Sequence, residues 1–225
     1  MDLCDYFSHE WTRIDTNKAA SCHGNEKLLL QWKRTRVMEK FDPTAYGEDV
    51  ARVLALDGGG ARLMPLTCGA CASSEAYRML RTMRAHVFDG SRDPVGAMAG
   101  LWLYFSCFEE AHALAQDSST KECELWHAIL HRQEPDSGNA AYWFRQVGTH
   151  ATFPRITRAA SEILERIPQA EFRTGGKWDP FAFVAFCERA RTQPGSAQER
   201  AALEIQRAEW QVVFDYCASP STGAR

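Results

Sequence analysis

Four of the chain's seven histidines lie between residues 101 and 150, in segments that are otherwise apolar. His127 and His131 are four residues apart, so a helix places both imidazoles on one face, and Glu134 follows three residues later. Two imidazoles at this separation can hold one transition-metal ion, and a third donor completes the set. We expect the third donor to be His112, in the preceding segment. The spacing therefore predicts a single-metal site formed by His112, His127 and His131.

The chemistry at this site has two alternatives. In the first, zinc, iron or manganese is bound and supports hydrolysis or oxygen chemistry. In the second, no metal is needed: His127 or His131 acts as general acid or base, and a neighbouring carboxylate fixes its tautomer. Arginine side chains with planar guanidinium groups would then orient an anionic part of the substrate. The residues predicted to take part in catalysis are His127, His131, Glu134, Arg132 and Arg145.

Further polar and aromatic side chains surround these residues in the sequence and could form the walls of a ligand-binding pocket. They are Trp126, Asp136, Tyr142, Trp143 and His150. The interpretation that competes with an enzyme is a non-catalytic helical module that binds a ligand or a partner protein. In that case the same residues form a structural network of buried ion pairs and hydrogen bonds.

Two metal motifs do not fit the sequence. Residue 128 is alanine, whereas the HExxH pattern of metalloproteases needs a glutamate there as general base. Glu109 and His112 have the ExxH spacing of di-iron helical bundles, but such bundles use two ExxH pairs and this region contains one.

The segment LALDGGGARLMPL, residues 54–66, resembles the glycine-rich element of patatin-like phospholipases, in which DGGG-x-R forms an oxyanion hole. The matching residues are Asp57, Gly58, Gly59, Gly60 and Arg62. That family also needs a G-x-S-x-G nucleophile motif and a later aspartate in a DG pair, and neither is present here. Without a nucleophile and a base, acyl transfer is excluded, and we interpret the segment as a turn between two helices.

The pattern of apolar residues predicts an all-α fold. Alanine, leucine and arginine outnumber the β-branched residues, and no segment alternates with period two. A single globular domain of about eight helices is predicted. The nine candidate helical segments span residues 26–41, 48–56, 74–87, 95–116, 122–134, 139–147, 155–166, 180–191 and 197–217. Two of them, 95–116 and 122–134, are the most apolar and should be buried at the centre of the domain. Asn139, Asp179 and Ser196 are candidate caps.

The domain is expected to extend over residues 25–217. Residues 1–24 lack periodicity and are predicted to be a mobile N-terminal arm, and residues 218–225 a flexible tail. The eight cysteines are expected to be mostly reduced, with Cys107 and Cys187 as free thiols in apolar helices. Cys68 and Cys71 have CxxC spacing, but no second pair follows that would complete a zinc site.

Composition restricts the partners. With 26 basic and 29 acidic residues the net charge is −3, so we expect no nucleic-acid partner. The apolar runs are too short to span a membrane, and the N-terminus has no secretory apolar region, so a cytoplasmic protein with a small-molecule substrate is expected. The sequence does not indicate an oligomeric state.

Residues 100–153 resemble a phrase of an uncharacterised family of bacterial and fungal proteins, LWLY…SH…Q…WHAIMHRREPD…N…YWFRRVG.H. The resemblance rests on LWLY at 101–104, on WHAI at 126–129 followed by HR at 131–132, and on YWFR at 142–145. The chain departs from the phrase at Ala111, Gln133 and Gln146. No activity accompanies this resemblance, but it implies that residues 101–150 are the part of the chain that matters for function.

Overall fold

The computed structural model describes residues 41–83 and 85–221, without the side chains of residues 85 and 86. These residues form an all-α unit, as predicted. Its helices are α1 (Glu48–Ala55), α2 (Ser74–Thr82), α3 (Pro94–Tyr104), α4 (Phe108–Gln116), α5 (Lys121–Gln133), α6 (Ser137–Val147), α7 (Phe153–Arg166), α8 (Pro180–Arg191) and α9 (Ala197–Ala218). The predicted arm 1–24 and most of the predicted helix 26–41 lie outside the described residues.

Two helices lie at the centre, as the sequence predicts. Every residue of α3 from Gly96 to Tyr104 is buried, and so is every residue of α5 from Leu125 to Gln133. The long helix α9 packs across α3, α7 and α8. The Trp126 ring of α5 packs directly against α3 at Gly100, where a Cβ atom would lie 2.9 Å from it. Trp126 is therefore a core residue.

Side-chain caps explain where several helices begin. Asp179 caps α8 by accepting hydrogen bonds from the amides of Phe181 and Ala182, and Ser196 caps α9 by accepting from Glu199, both as predicted. The predicted cap of α6 was wrong. Asp136 is the capping residue and accepts a hydrogen bond from the amide of Asn139, so α6 begins two residues earlier than expected.

The predicted continuous helix 95–116 was also wrong, because α3 ends at Tyr104 and α4 begins at Phe108. Ser106, between them, has a φ of 58°, a left-handed conformation that a helix cannot contain. Arg62 donates hydrogen bonds to the Tyr104 carbonyl and to the Ser106 hydroxyl, which stabilises the corner. The corner turns α4, which carries His112, toward α5.

The triple-glycine segment forms a tight turn around a tyrosine. Gly58, Gly59 and Gly60 all have positive φ, which only glycine adopts readily. The Tyr104 hydroxyl donates a hydrogen bond to the Asp57 carbonyl and accepts hydrogen bonds from the amides of Gly60 and Arg62. The segment is thus the turn that we predicted, and its Gly60 and Arg62 amides are hydrogen-bonded to a buried tyrosine of the core.

A disulfide joins Cys71 to Cys107. The prediction that Cys107 is a free thiol was therefore wrong, whereas Cys187 is a free, buried thiol as expected. Cys71 and Cys107 are 36 positions apart, too far for sequence spacing to suggest the pair.

Beyond α9, Pro220 pairs with Ser91 through an isolated backbone bridge. In the part of the chain that the structure describes, no helix is long and apolar enough to cross a membrane.

Candidate metal centre

Three adjacent helices bring the candidate site together. The short helix α4 supplies His112, and α5 supplies His127 and His131 from one face, as the i, i+4 spacing predicts. Helix α6 packs closely against α5 and contributes Trp143. His127 and His131 are 2% and 6% exposed, and His112 is half-buried at the rim of the site.

The three imidazoles converge on one point. One nitrogen from each ring lies within 4.8 Å of the other two. The Nε2 atoms of His112 and His127 are 3.0 Å apart, within hydrogen-bonding distance when one of them carries a proton. The sequence predicted these three residues as a ligand set, and the structure brings them together.

The rings are held in different orientations. His112 stands edge-on to both partners, at 88° to His127 and 85° to His131. His127 lies between two flat rings: the centroid of His131 is 4.7 Å away and that of Trp143 is 4.1 Å away. Trp143, predicted as a pocket wall, therefore covers the central histidine and limits its rotation.

Glu134 fixes the tautomer of His131. Its Oε2 lies 2.6 Å from Nδ1 of His131, and since a carboxylate can only accept, Nδ1–H is the donor. The lone pair of His131 is then on Nε2 and free to bind a metal. Carboxylates in this position are the usual orienting partners of metal-binding histidines.

His127 is set apart by its burial. Burial, and then the positive charges of His112 and His131 when they are protonated, lower the pKa of His127 from 6.5 to about 4. Its imidazole is thus neutral at neutral pH, the state that a metal ion requires. Its Nδ1 atom is buried and has no hydrogen-bond partner among the described residues.

The cluster fits a metal ion of the size that imidazoles bind. With metal–nitrogen bonds of about 2.1 Å, adjacent ligand nitrogens are about 3 to 3.5 Å apart. The His112–His127 separation of 3.0 Å already meets this requirement. The widest separation, up to 4.8 Å, exceeds it by little more than 1 Å, which small side-chain rotations can remove. Three protein ligands also leave room for a substrate or water, as catalytic sites do.

The structure does not bring Arg132, predicted to orient a substrate, together with the three histidines. Successive helical residues are about 100° apart, so Arg132 leaves α5 on a different side from His131. Its side chain is 1% exposed, lies 2.5 Å from Glu209 of α9, and stacks its guanidinium over Phe183 of α8. Gln206 accepts a further hydrogen bond from it. Arg132 thus belongs to a buried network that joins α5 to α8 and α9.

Two residues of α6 do not meet the histidines either. Arg145 is exposed and lies two positions after Trp143, about 200° around the helix, so it points away from the cluster. Tyr142 is 49% exposed and touches only the edge of Trp143. Both were predicted site residues, and the structure places them on the solvent side of α6.

The remaining predicted ligand-binding residues have structural contacts. Asp136 caps α6, and Trp126 packs in the core. His150 is buried at a separate place, where its Nδ1 accepts hydrogen bonds from the hydroxyl and amide of Thr152 and its ring meets the edge of Tyr216. Its Nε2 faces Glu122 at 3.7 Å, and the interaction with His150 lowers the pKa of that carboxylate.

His112 is half-buried and the Glu134 side chain is one-third exposed, so both residues reach the surface. A separate surface hollow of about 510 Å³, lined by α7 and the loop that follows it, contains none of the three histidines. The imidazole chemistry is thus concentrated in a narrow, largely buried site.

Comparisons with models of protein families, with curated proteins and with solved structures found no match to this chain.

Proposed function

We propose that this chain is a small-molecule enzyme built on a single-metal centre, in which His112, His127 and His131 hold the ion. One observation carries the proposal: three imidazole nitrogens from two helices lie within 4.8 Å of one another. Burial of two of these polar rings costs free energy that an ordinary core position would avoid. A bound cation would offset that cost through three coordination bonds.

The donor set limits the choice of ion. Imidazole ligands suit zinc and iron, whereas manganese favours sites rich in carboxylate and water oxygens. The nearest carboxylate, Glu134, is engaged with His131. We therefore favour zinc or iron over manganese. Such an ion would act as a Lewis acid that polarises a substrate or activates a water molecule. This chemistry would support hydrolysis, or oxygen chemistry where the ion is iron.

The chain's own residues have distinct tasks in this proposal. Glu134 keeps the Nε2 lone pair of His131 directed at the ion. Trp143 covers one face of His127 and excludes water from it. His112, the half-buried member, borders the side from which a substrate would enter.

The alternative, a non-catalytic module with a structural polar network, is favoured by one specific observation. Arg132, Glu209 and Gln206 are all buried, and Arg132 donates hydrogen bonds to the other two, which ties α5 to α9. This network accounts for Arg132 but not for the convergence of the histidines, which contact none of its members in the described interactions. We therefore assign the arginine network to stability and the histidines to function.

Elemental analysis of tag-free protein tests the proposal. We expect close to one zinc or iron ion per chain in the wild type, and loss of that ion in His112→Gln and in His127→Gln. His150→Gln is the matched control, because it removes a buried histidine outside the cluster and should retain the metal. Circular dichroism verifies that each variant is folded. The proposal is rejected if the wild type binds neither zinc nor ferrous iron on reconstitution, or if folded His127→Gln retains the wild-type content.

A cytoplasmic location and membership of the bacterial and fungal family that residues 100–153 resemble are also part of the proposal. Cell fractionation tests the first. The second rests on the sequence phrase alone, which includes His112, His127 and His131.

A further inference from the structure

Three cysteines lie next to the helices that carry the histidines. Cys107 immediately precedes α4, and its disulfide ties the start of that helix to Cys71. Cys68, three positions before Cys71, is an exposed free thiol. The described interactions give Cys68 no side-chain partner, so its exposure and spacing serve no evident structural need.

The segment that contains Cys68 and Cys71 is fastened to both sides of the site. The Cys68 amide donates a hydrogen bond of 2.7 Å to the carbonyl of Gln133, the last residue of α5. The Ala72 amide donates one of 2.7 Å to Phe105, in the corner before α4. The Cys71–Cys107 disulfide adds a covalent connection to these two hydrogen bonds. His112 follows Cys107 by five residues, about 7.5 Å along α4.

We propose that Cys68, Cys71 and Cys107 form a thiol–disulfide exchange site, whose two pairings fix or release the helix that carries His112. The Cys68 thiolate attacks Sγ of Cys71, a Cys68–Cys71 bond forms, and the Cys71–Cys107 bond breaks. Cys107 leaves as a thiolate and takes a proton from water, which replaces the proton that Cys68 lost. The step is redox-neutral and needs no other reactant.

Access and reach favour this step. Cys71 is half-buried whereas Cys107 is 1% exposed, so an incoming thiolate meets the sulfur of Cys71 first. Residues 68–73 have no regular secondary structure, and the intervening Gly69 has no atom within 4 Å of where a Cβ would lie. Free space and a flexible residue allow the chain to fold back into a CxxC disulfide, a pairing that proteins use for exchange.

Release of Cys107 changes the corner that orients α4. Ser106 keeps its left-handed φ of 58° only while its surroundings enforce it, and the disulfide next to it is part of that enforcement. Without the bond, α4 is free to shift relative to α5, and His112 separates from His127 and His131. This consequence rests on the proposed metal centre. The protein that contains the Cys71–Cys107 disulfide is therefore the form that binds the metal more tightly.

Peptide mapping after trapping of free thiols tests the exchange. Full-length protein is incubated at pH 8 without added thiol, alkylated, digested without reduction and analysed by mass spectrometry. We expect Cys71–Cys107 and Cys68–Cys71 peptides in wild type, and only the former in Cys68→Ser. Detection of Cys71–Cys107 alone in wild type, at all incubation times, would overturn the exchange site.

Zinc affinity tests the consequence for the histidines. Cys68→Ser retains the Cys71–Cys107 bond, and Cys107→Ser leaves the Cys68–Cys71 pairing, so the two variants represent the two forms. We expect zinc to bind about tenfold more weakly to Cys107→Ser, the size of effect that loss of an outer supporting group produces. If folded Cys68→Ser and Cys107→Ser bind zinc with equal affinity, the coupling between the disulfide and the metal centre is overturned, but the exchange itself is not. If neither variant binds zinc or ferrous iron, the metal centre itself fails, while the peptide map still decides whether the exchange occurs.

Discussion

Neutralising Glu209 should reveal how much of the chain's stability rests on the buried Arg132–Glu209 pair. Both side chains are 1% exposed and their charged groups are 2.5 Å apart. Glu209→Gln leaves the guanidinium charged, buried and without its counter-charge, which costs about 3 to 5 kcal/mol. Replacing both charges with apolar residues, as in Arg132→Met/Glu209→Leu, removes that penalty and should restore most of the lost stability.

The measurement is the free energy of unfolding from urea denaturation, followed by tryptophan fluorescence and by circular dichroism. Glu204→Gln is the matched control on α9. Its side chain is 10% exposed, but its partners Arg166 and Arg200 are 60% and 70% exposed, so the expected loss is about 1 kcal/mol or less. Metal content should remain that of wild type in all folded variants. A loss below about 1 kcal/mol for Glu209→Gln, or a double variant no more stable than the single one, would refute the assignment of Arg132 to a structural network.

Three further predictions concern the histidine site. Glu134→Gln should weaken metal binding about tenfold in a calorimetric titration, with little change in unfolding free energy, because this carboxylate is one-third exposed. Cobalt should quench part of the tryptophan emission on binding, and Trp143→Phe, which removes the ring 4.1 Å from His127, should lose most of that response. The stability of metal-free protein should be full above pH 6.5 and fall by on the order of 1 to 3 kcal/mol as the pH approaches 4, because the folded state lowers the pKa of His127 to about 4 and so disfavours its protonation. His127→Gln should flatten this dependence in urea titrations; an unchanged slope would contradict it.

Much of the fold follows from local signals in the sequence. The helices at Pro180–Arg191 and Ala197–Ala218 begin at side-chain caps that the sequence displays, and their predicted ends differ by at most one residue. The corner at Ser106 could not be predicted in this way. Its apolar pattern continues through the break, and the groups that enforce the break, Arg62 and Cys71, are more than 30 positions earlier.

The candidate site was predictable to the extent that one helix determines it. The i, i+4 spacing places His127 and His131 together, and Glu134 lies close enough on the same helix to reach His131. Arg132 was expected among the site residues because its sequence neighbours are polar, whereas its partner Glu209 is 77 positions away. Side chains next to each other in sequence diverge on a helix, so proximity to a histidine in the sequence is weak evidence for a shared site.

The DGGG segment illustrates how the same local chemistry can serve stability. Backbone amides that point inward from a glycine turn can stabilise an oxyanion, and the likeness to a phospholipase element rests on that property. Here two of these amides, from Gly60 and Arg62, donate to the Tyr104 hydroxyl, and the same tyrosine ends α3. The amides are therefore occupied by the fold and are not directed at a substrate. Together with Arg62 at the Ser106 corner, the turn helps to set the direction of α4, and through α4 the position of His112. The glycines contribute to the histidine site as part of its support.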